Sequence, residues 1–172
     1  MNFSLKRNSI LIALQISLTA LVSYLIGFDT TNTPDAANAS LGGLWAAISG
    51  IVVLQASRRE TFAMATLRIL GSGIGSLVSA LYLSVLPFSP WGMGLCIFVT
   101  VLLCHLVRIP DHARLASLTV AIVMVVAGNS PHLSPAVNAG LRFAESSIGT
   151  AVAMLAILIW ERNSLPKNNS NS

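Results

Sequence analysis

Six apolar runs, at residues 10–28, 41–56, 63–86, 91–107, 113–127 and 136–160, set what this chain can become. Between them stand polar breakers: "DTTNTPDAANAS", "SRRE", "PFSP", "RIPDH" and "NSPHLSP". Only 9% of the residues are charged and 54% are hydrophobic. An ordinary soluble domain carries roughly 25% charged residues, so this chain cannot cover a water-facing surface. Lipid is its solvent. Backbone polar groups in lipid must be paired within the segment, so each run predicts a helix. The expected fold is all-α, an integral membrane bundle of six transmembrane helices over residues 10–160. A short N-terminus (1–9) precedes it, and a polar tail (161–172) that reads as disordered follows. The first run is too long for a signal-peptide core, and the "ANA" at 37–39 lies far past its end. It therefore reads as an uncleaved first span.

Charge predicts sidedness. Lys6 and Arg7 precede the first run, Arg58 and Arg59 join the second and third, Arg108 and Arg114 join the fourth and fifth, and Arg162 and Lys167 follow the sixth. With six alternating helices all these cations fall on one side, and the opposite loops hold Asp29, Asp35 and His132. The pattern predicts both termini in the cytoplasm. Arg68 and Arg142 remain, each inside a run.

These two arginines belong to a repeat. "TLRILGSGIGSLVSAL" and "GLRFAESSIGTAVAML" align 74 positions apart, matching Leu67, Arg68, Ile74 and Gly75 to Leu141, Arg142, Ile148 and Gly149. Gln55 falls on Asn129 at the same offset. Halves of three helices, about 10–86 and 91–160, would lie inverted in the membrane. That plan puts a substrate site near the midplane between the repeats. The second and fifth runs are the shortest and hold matching places, a further pointer to a site. Arg68 and Arg142 would then approach the membrane core from opposite faces.

An arginine cannot shed its proton, and its planar guanidinium matches a carboxylate. Arg68, Arg142, Gln55 and Asn129 are the candidate substrate contacts, and the expected substrate is a small organic anion. The alternative is that each arginine snorkels to the headgroups. Glu145 could carry protons or could simply pair with Arg142 one turn away. Gly71, Gly75 and Gly149 permit close helix packing, which could serve a hinge between the third and sixth helices or plain packing. Ser57 and Ser134 read as N-caps, with Glu60 and Pro135 completing the two signals. Trp45, Trp91 and Trp160 suit interfacial anchoring, although Trp45 could stack an aromatic substrate. His105, His112 and His132 read as interfacial, and Cys96 and Cys104 as small apolar fillers. No catalytic set and no metal-ligand spacing is present, so no enzyme activity, cofactor or metal is expected. Nucleic acid is not an expected partner.

The stretch "LWAAISGIVVLQASRRETFAMATLRILGSGIGSLVSALYL" resembles the fusaric acid resistance, or aromatic acid exporter, family. The likeness lies in a short helix ending in a polar turn, then a helix with Arg68, Gly71, Ser72 and Gly75 in the family's spacing. "LRFAESSIGTAVAMLAILIW" resembles the last helix of that unit, at Arg142 and Gly149. The resemblance implies a six-helix inner-membrane unit that exports aromatic or other organic carboxylates, driven by the proton gradient. Plant malate channels are distant relatives, which also favours anions. Many relatives carry a cytoplasmic domain or two such units. A lone unit is expected to work as a homo-oligomer, with a membrane-fusion or accessory protein as a further partner. Two rival functions stay open: a passive anion channel, and a non-transporting assembly subunit.

Overall fold

The computed structural model describes residues 7–30, 36–130 and 132–164, with side chains over 9–30, 38–130 and 132–160. Lys6, Asp35 and Lys167, and the side chains of Arg7 and Arg162, lie outside the described residues, as does 165–172 of the expected tail. The described residues form six α-helices and no strand. They are α1 (Arg7–Thr30), α2 (Ala36–Val53), α3 (Arg58–Leu83), α4 (Pro90–Leu106), α5 (Ala113–Asn129) and α6 (Pro135–Ser164), with a 3-10 turn (Pro110–His112) leading into α5. Four are long and apolar enough to cross a bilayer: α1, α3, α5 taken with its 3-10 turn, and α6. Helices α2 and α4 are apolar but shorter.

Three boundaries correct the sequence reading. Helix α2 begins at Ala36, inside the stretch read as a breaker, because "AANAS" contains three alanines, the best helix former, and no proline. Helices α4 and α5 both have 17 residues and α2 has 18, so the shortest helices are not a matched pair. Helix α6 runs to Ser164, four residues into the expected tail.

The caps explain where helices start. Ser57 accepts from the Glu60 backbone N–H at 3.3 Å and opens α3. Ser134 does the same for Val137 at 3.3 Å, with Pro135 as the first residue of α6. Ser89 caps α4 through Gly92 at 3.0 Å. Helix α4 ends in a Schellman turn, in which Arg108 N–H donates to His105 O and Ile109 N–H to Cys104 O. That turn requires a left-handed residue, and Arg108 takes it at φ 63°.

The bundle is apolar outside and polar within. On α1, Ile12, Leu21 and Leu25 are exposed, while Gln15, Thr19 and Ser23, spaced one turn apart, are buried. The innermost helices are α3 and α6, which pack on each other; α2 packs on α6, and α5 on α3. The glycines make the latter two contacts possible. A Cβ on Gly75 would strike the Ala116 carbonyl oxygen and come within 2.9 Å of Thr119 Cβ, both on α5. Gly71 faces the same helix, 3.0 Å from Ala116 N. A Cβ on Gly149 would strike the Ala46 carbonyl oxygen and approach Gly50 N at 2.8 Å, both on α2. These glycines therefore admit α5 and α2, and not the α3–α6 contact that the sequence suggested.

Candidate functional site

Where α3 crosses α6, hydroxyls meet. Ser72 and Ser146 lie 2.8 Å apart, and these residues are 74 positions apart in sequence. Ser49 Oγ of α2 lies 3.4 Å from Ser146 Oγ, and Thr119 Oγ1 of α5 lies 3.4 Å from Ser72 Oγ; each also has a backbone carbonyl one turn back to donate to, Trp45 O at 2.8 Å and Leu115 O at 3.1 Å. One chain of hydroxyls thus ties the four inner helices together, and every member is buried. A Ser72→Ala/Ser146→Ala double-mutant cycle, read by thermal unfolding in detergent, should give a coupling of about 0.6 kcal/mol, the typical value for such bonds in membranes.

The two arginines flank this crossing. Each precedes its central serine by one turn, which sets each about 6 Å from the crossing along its helix. Because α3 and α6 run in opposite directions, the two sit on opposite sides of it. Both have 0% exposed surface, so neither reaches headgroups.

Their surroundings differ. Arg68 Nε and Nη2 donate to Ser49 Oγ at 3.2 and 2.8 Å, and the guanidinium lies 4.5 Å from the Trp45 ring centroid. Its Nη1 has no partner among the described residues, and no carboxylate pairs with it there. A hydroxyl and a π face are weak compensation for a cation that costs roughly 3 kcal/mol to place in a bilayer centre. Arg142, in contrast, pairs with Glu145 at 2.9 Å, each about 1% exposed. Arg142 also lines a cavity of about 120 Å³ with Trp45, Asn129, Leu41, Leu44 and Ile122. Arg142 Nε has no partner among the described residues.

The structure thus brings Arg142, Asn129 and Trp45 to one cavity and sets Arg68 on the Trp45 ring. Gln55 takes no part. It lies beyond the end of α2, where its Nε2 donates to Val52 O at 2.9 Å. Trp45 is a correction: it is 4% exposed and anchors nothing at an interface. Because α2 starts at Ala36, Trp45 falls mid-helix and not at its end. His112 is likewise buried, whereas His105 and His132 are exposed. Ser49 and Ser146, which hold the centre together, were not singled out in the sequence. The signal available was the match of Ser72 to Ser146 at the repeat offset.

A bundle with lipid-facing leucines, a hydroxylated centre and two buried arginines is that of an integral membrane protein. The sequence profile described as fusaric acid resistance protein-like matches residues 18–156. The chain belongs to that family, and membership indicates membrane transport. No curated protein and no solved structure matches it.

Proposed function

We propose that the protein carries small organic anions, aromatic carboxylates foremost, out of the cell across the inner membrane. The single observation behind this reading is Arg68, a fully buried cation without a carboxylate partner among the described residues. A substrate carboxylate meeting its free Nη1 would supply the missing charge, and Trp45 offers a ring for an aromatic body to stack on. Arg142, with Asn129 in its cavity, is the second contact, reached after the α3–α6 crossing is passed.

The topology of this reading is six spans in an inverted 3+3 arrangement, with both termini cytoplasmic. Supporting it, Ser72 meets Ser146, and Gly75 and Gly149 admit α5 and α2 in turn, all at the 74-residue offset. The unit works as a homo-oligomer, with an accessory or membrane-fusion protein wherever a second membrane must be crossed.

Glu145 is the candidate proton carrier, and its pairing decides the sign of coupling. A proton on Glu145 would release Arg142 for an anion, so proton and anion would bind together. Proton-driven export by exchange requires the two to exclude each other. The Arg142–Glu145 pair therefore favours a second reading, a passive channel through which the membrane potential, negative inside, expels the anion.

Release of hydroxylated benzoates from proteoliposomes tests both. Export or conduction predicts flux that falls at least tenfold in Arg68→Gln. Dependence on an imposed pH gradient selects the exporter, and flux driven by potential alone selects the channel. Flux no greater than that of empty liposomes would contradict both and leave the assembly subunit.

A further inference from the structure

Helices α1 and α2 pack tightly, because Gly27 and Gly43 sit at their contact. A Cβ on Gly27 would lie 2.6 Å from Ala46 Cβ, and one on Gly43 would lie 2.9 Å from Tyr24 O. The positions 74 residues later are Val101 and Ser117, on α4 and α5. Between α4 and α5, where these larger residues stand, a groove of about 670 Å³ opens. Val101 and Ser117 both line it.

The groove has two chemistries. Along the helices its walls are Ile97, Val101, Leu118 and Ala121. At the α4–α5 turn its lining becomes His105 and Arg114, both exposed. Arg108 stands exposed in the same turn, and Asp111 is the only acid there. The Ser117 hydroxyl is already spent on Ala113 O at 2.8 Å, so the cations supply the mouth's recognition.

We infer that this groove is a binding site for an anionic phospholipid, with an acyl chain along the apolar wall and the headgroup phosphate on Arg114 and His105. The charge argues for this occupant over a second copy, since two copies meeting by this face would set Arg114 against Arg114. A basic pocket between spans at a helix turn is a recognised setting for anionic headgroups. The site lies apart from Arg68 and Arg142 and does not depend on what they carry.

Native mass spectrometry of the full chain in detergent tests it, with phosphatidylglycerol, phosphatidylcholine and inorganic phosphate as separate additions. Phosphatidylglycerol adducts should outnumber phosphatidylcholine adducts. Arg114→Gln should weaken phosphatidylglycerol binding about fivefold, the weight of one cation near an anionic surface. Ala121→Phe, which fills the apolar wall and leaves the cations in place, should also reduce it, while Arg59→Gln should not. Equal binding of the two lipids, displacement of lipid by phosphate alone, or phosphatidylglycerol binding untouched by both groove variants would overturn the assignment. Melting temperatures confirm that each variant is folded, and Ala121→Phe keeps the test decisive if Arg114→Gln is not.

Discussion

Gly149→Ala should destabilise the bundle by about 3 kcal/mol or more, at the top of the range for overpacking a well-packed core. The new methyl would strike the Ala46 carbonyl oxygen and crowd Gly50 N at 2.8 Å. Both are backbone atoms in the middle of α2, so no side chain can swing away. Relief requires α2 to leave α6, which also pulls Ser49 from Ser146 and from Arg68. Two sister substitutions supply the scale. Gly73→Ala meets only Phe143 Cε2 at 3.6 Å, and Gly140→Ala meets nothing within 4 Å. These should be neutral or stabilising by up to about 1 kcal/mol, through the better helix propensity of alanine. Unfolding followed by tryptophan fluorescence in detergent separates the cases. A Gly149→Ala protein that melts with Gly140→Ala would mean that α2 does not lie against α6 as described.

The second large effect concerns the buried pair. Arg142→Met should cost about 3–5 kcal/mol, because the buried Glu145 loses the cation that balances it. Glu145→Met should cost a similar amount for the opposite reason. The double variant Arg142→Met/Glu145→Met should be more stable than either single one, since no charge is then left uncompensated. Arg68→Met should behave differently. Among the described residues no carboxylate is left behind when it goes, so its removal should be neutral or stabilising, at the expense of function. Three melting curves and one contrast therefore distinguish a cation already balanced by a carboxylate from one left unbalanced in the folded protein. Equal losses in Arg68→Met and Arg142→Met would erase that distinction.

Much of this was legible in the sequence. The breakers mark the turns, since proline and clustered polar residues interrupt helices whatever surrounds them. Ser57 and Ser134 could be read as caps because capping is local chemistry. The buried arginines were visible as charges inside apolar runs, and the repeat picked them out. What the glycines serve was not legible. Gly75 and Gly149 offer the same smooth surface to any helix, and only the tertiary arrangement sends one to α5 and the other to α2. Trp45 was misread for a related reason. An apolar run marks the lipid-facing length of a helix and not its full length, and α2 extends five residues beyond the run's first residue, Leu41. The choice between a snorkelling and a buried arginine likewise depended on packing. Both side chains are long enough to reach an interface, and the neighbours decided that neither does.

Arg68 carries the functional account, so its occupancy is the measurement to make. The purified protein would be melted with increasing benzoate or 4-hydroxybenzoate, and with benzamide as the uncharged isostere. A ligand that binds only the folded state stabilises it by about 2.7 kcal/mol at a hundred times its dissociation constant, and the melting point rises accordingly. The account predicts stabilisation by the carboxylates, none by benzamide, and loss of the carboxylate effect in Arg68→Gln. Carboxylate stabilisation of equal size in Arg68→Gln would contradict it, as would stabilisation by benzamide to the same degree.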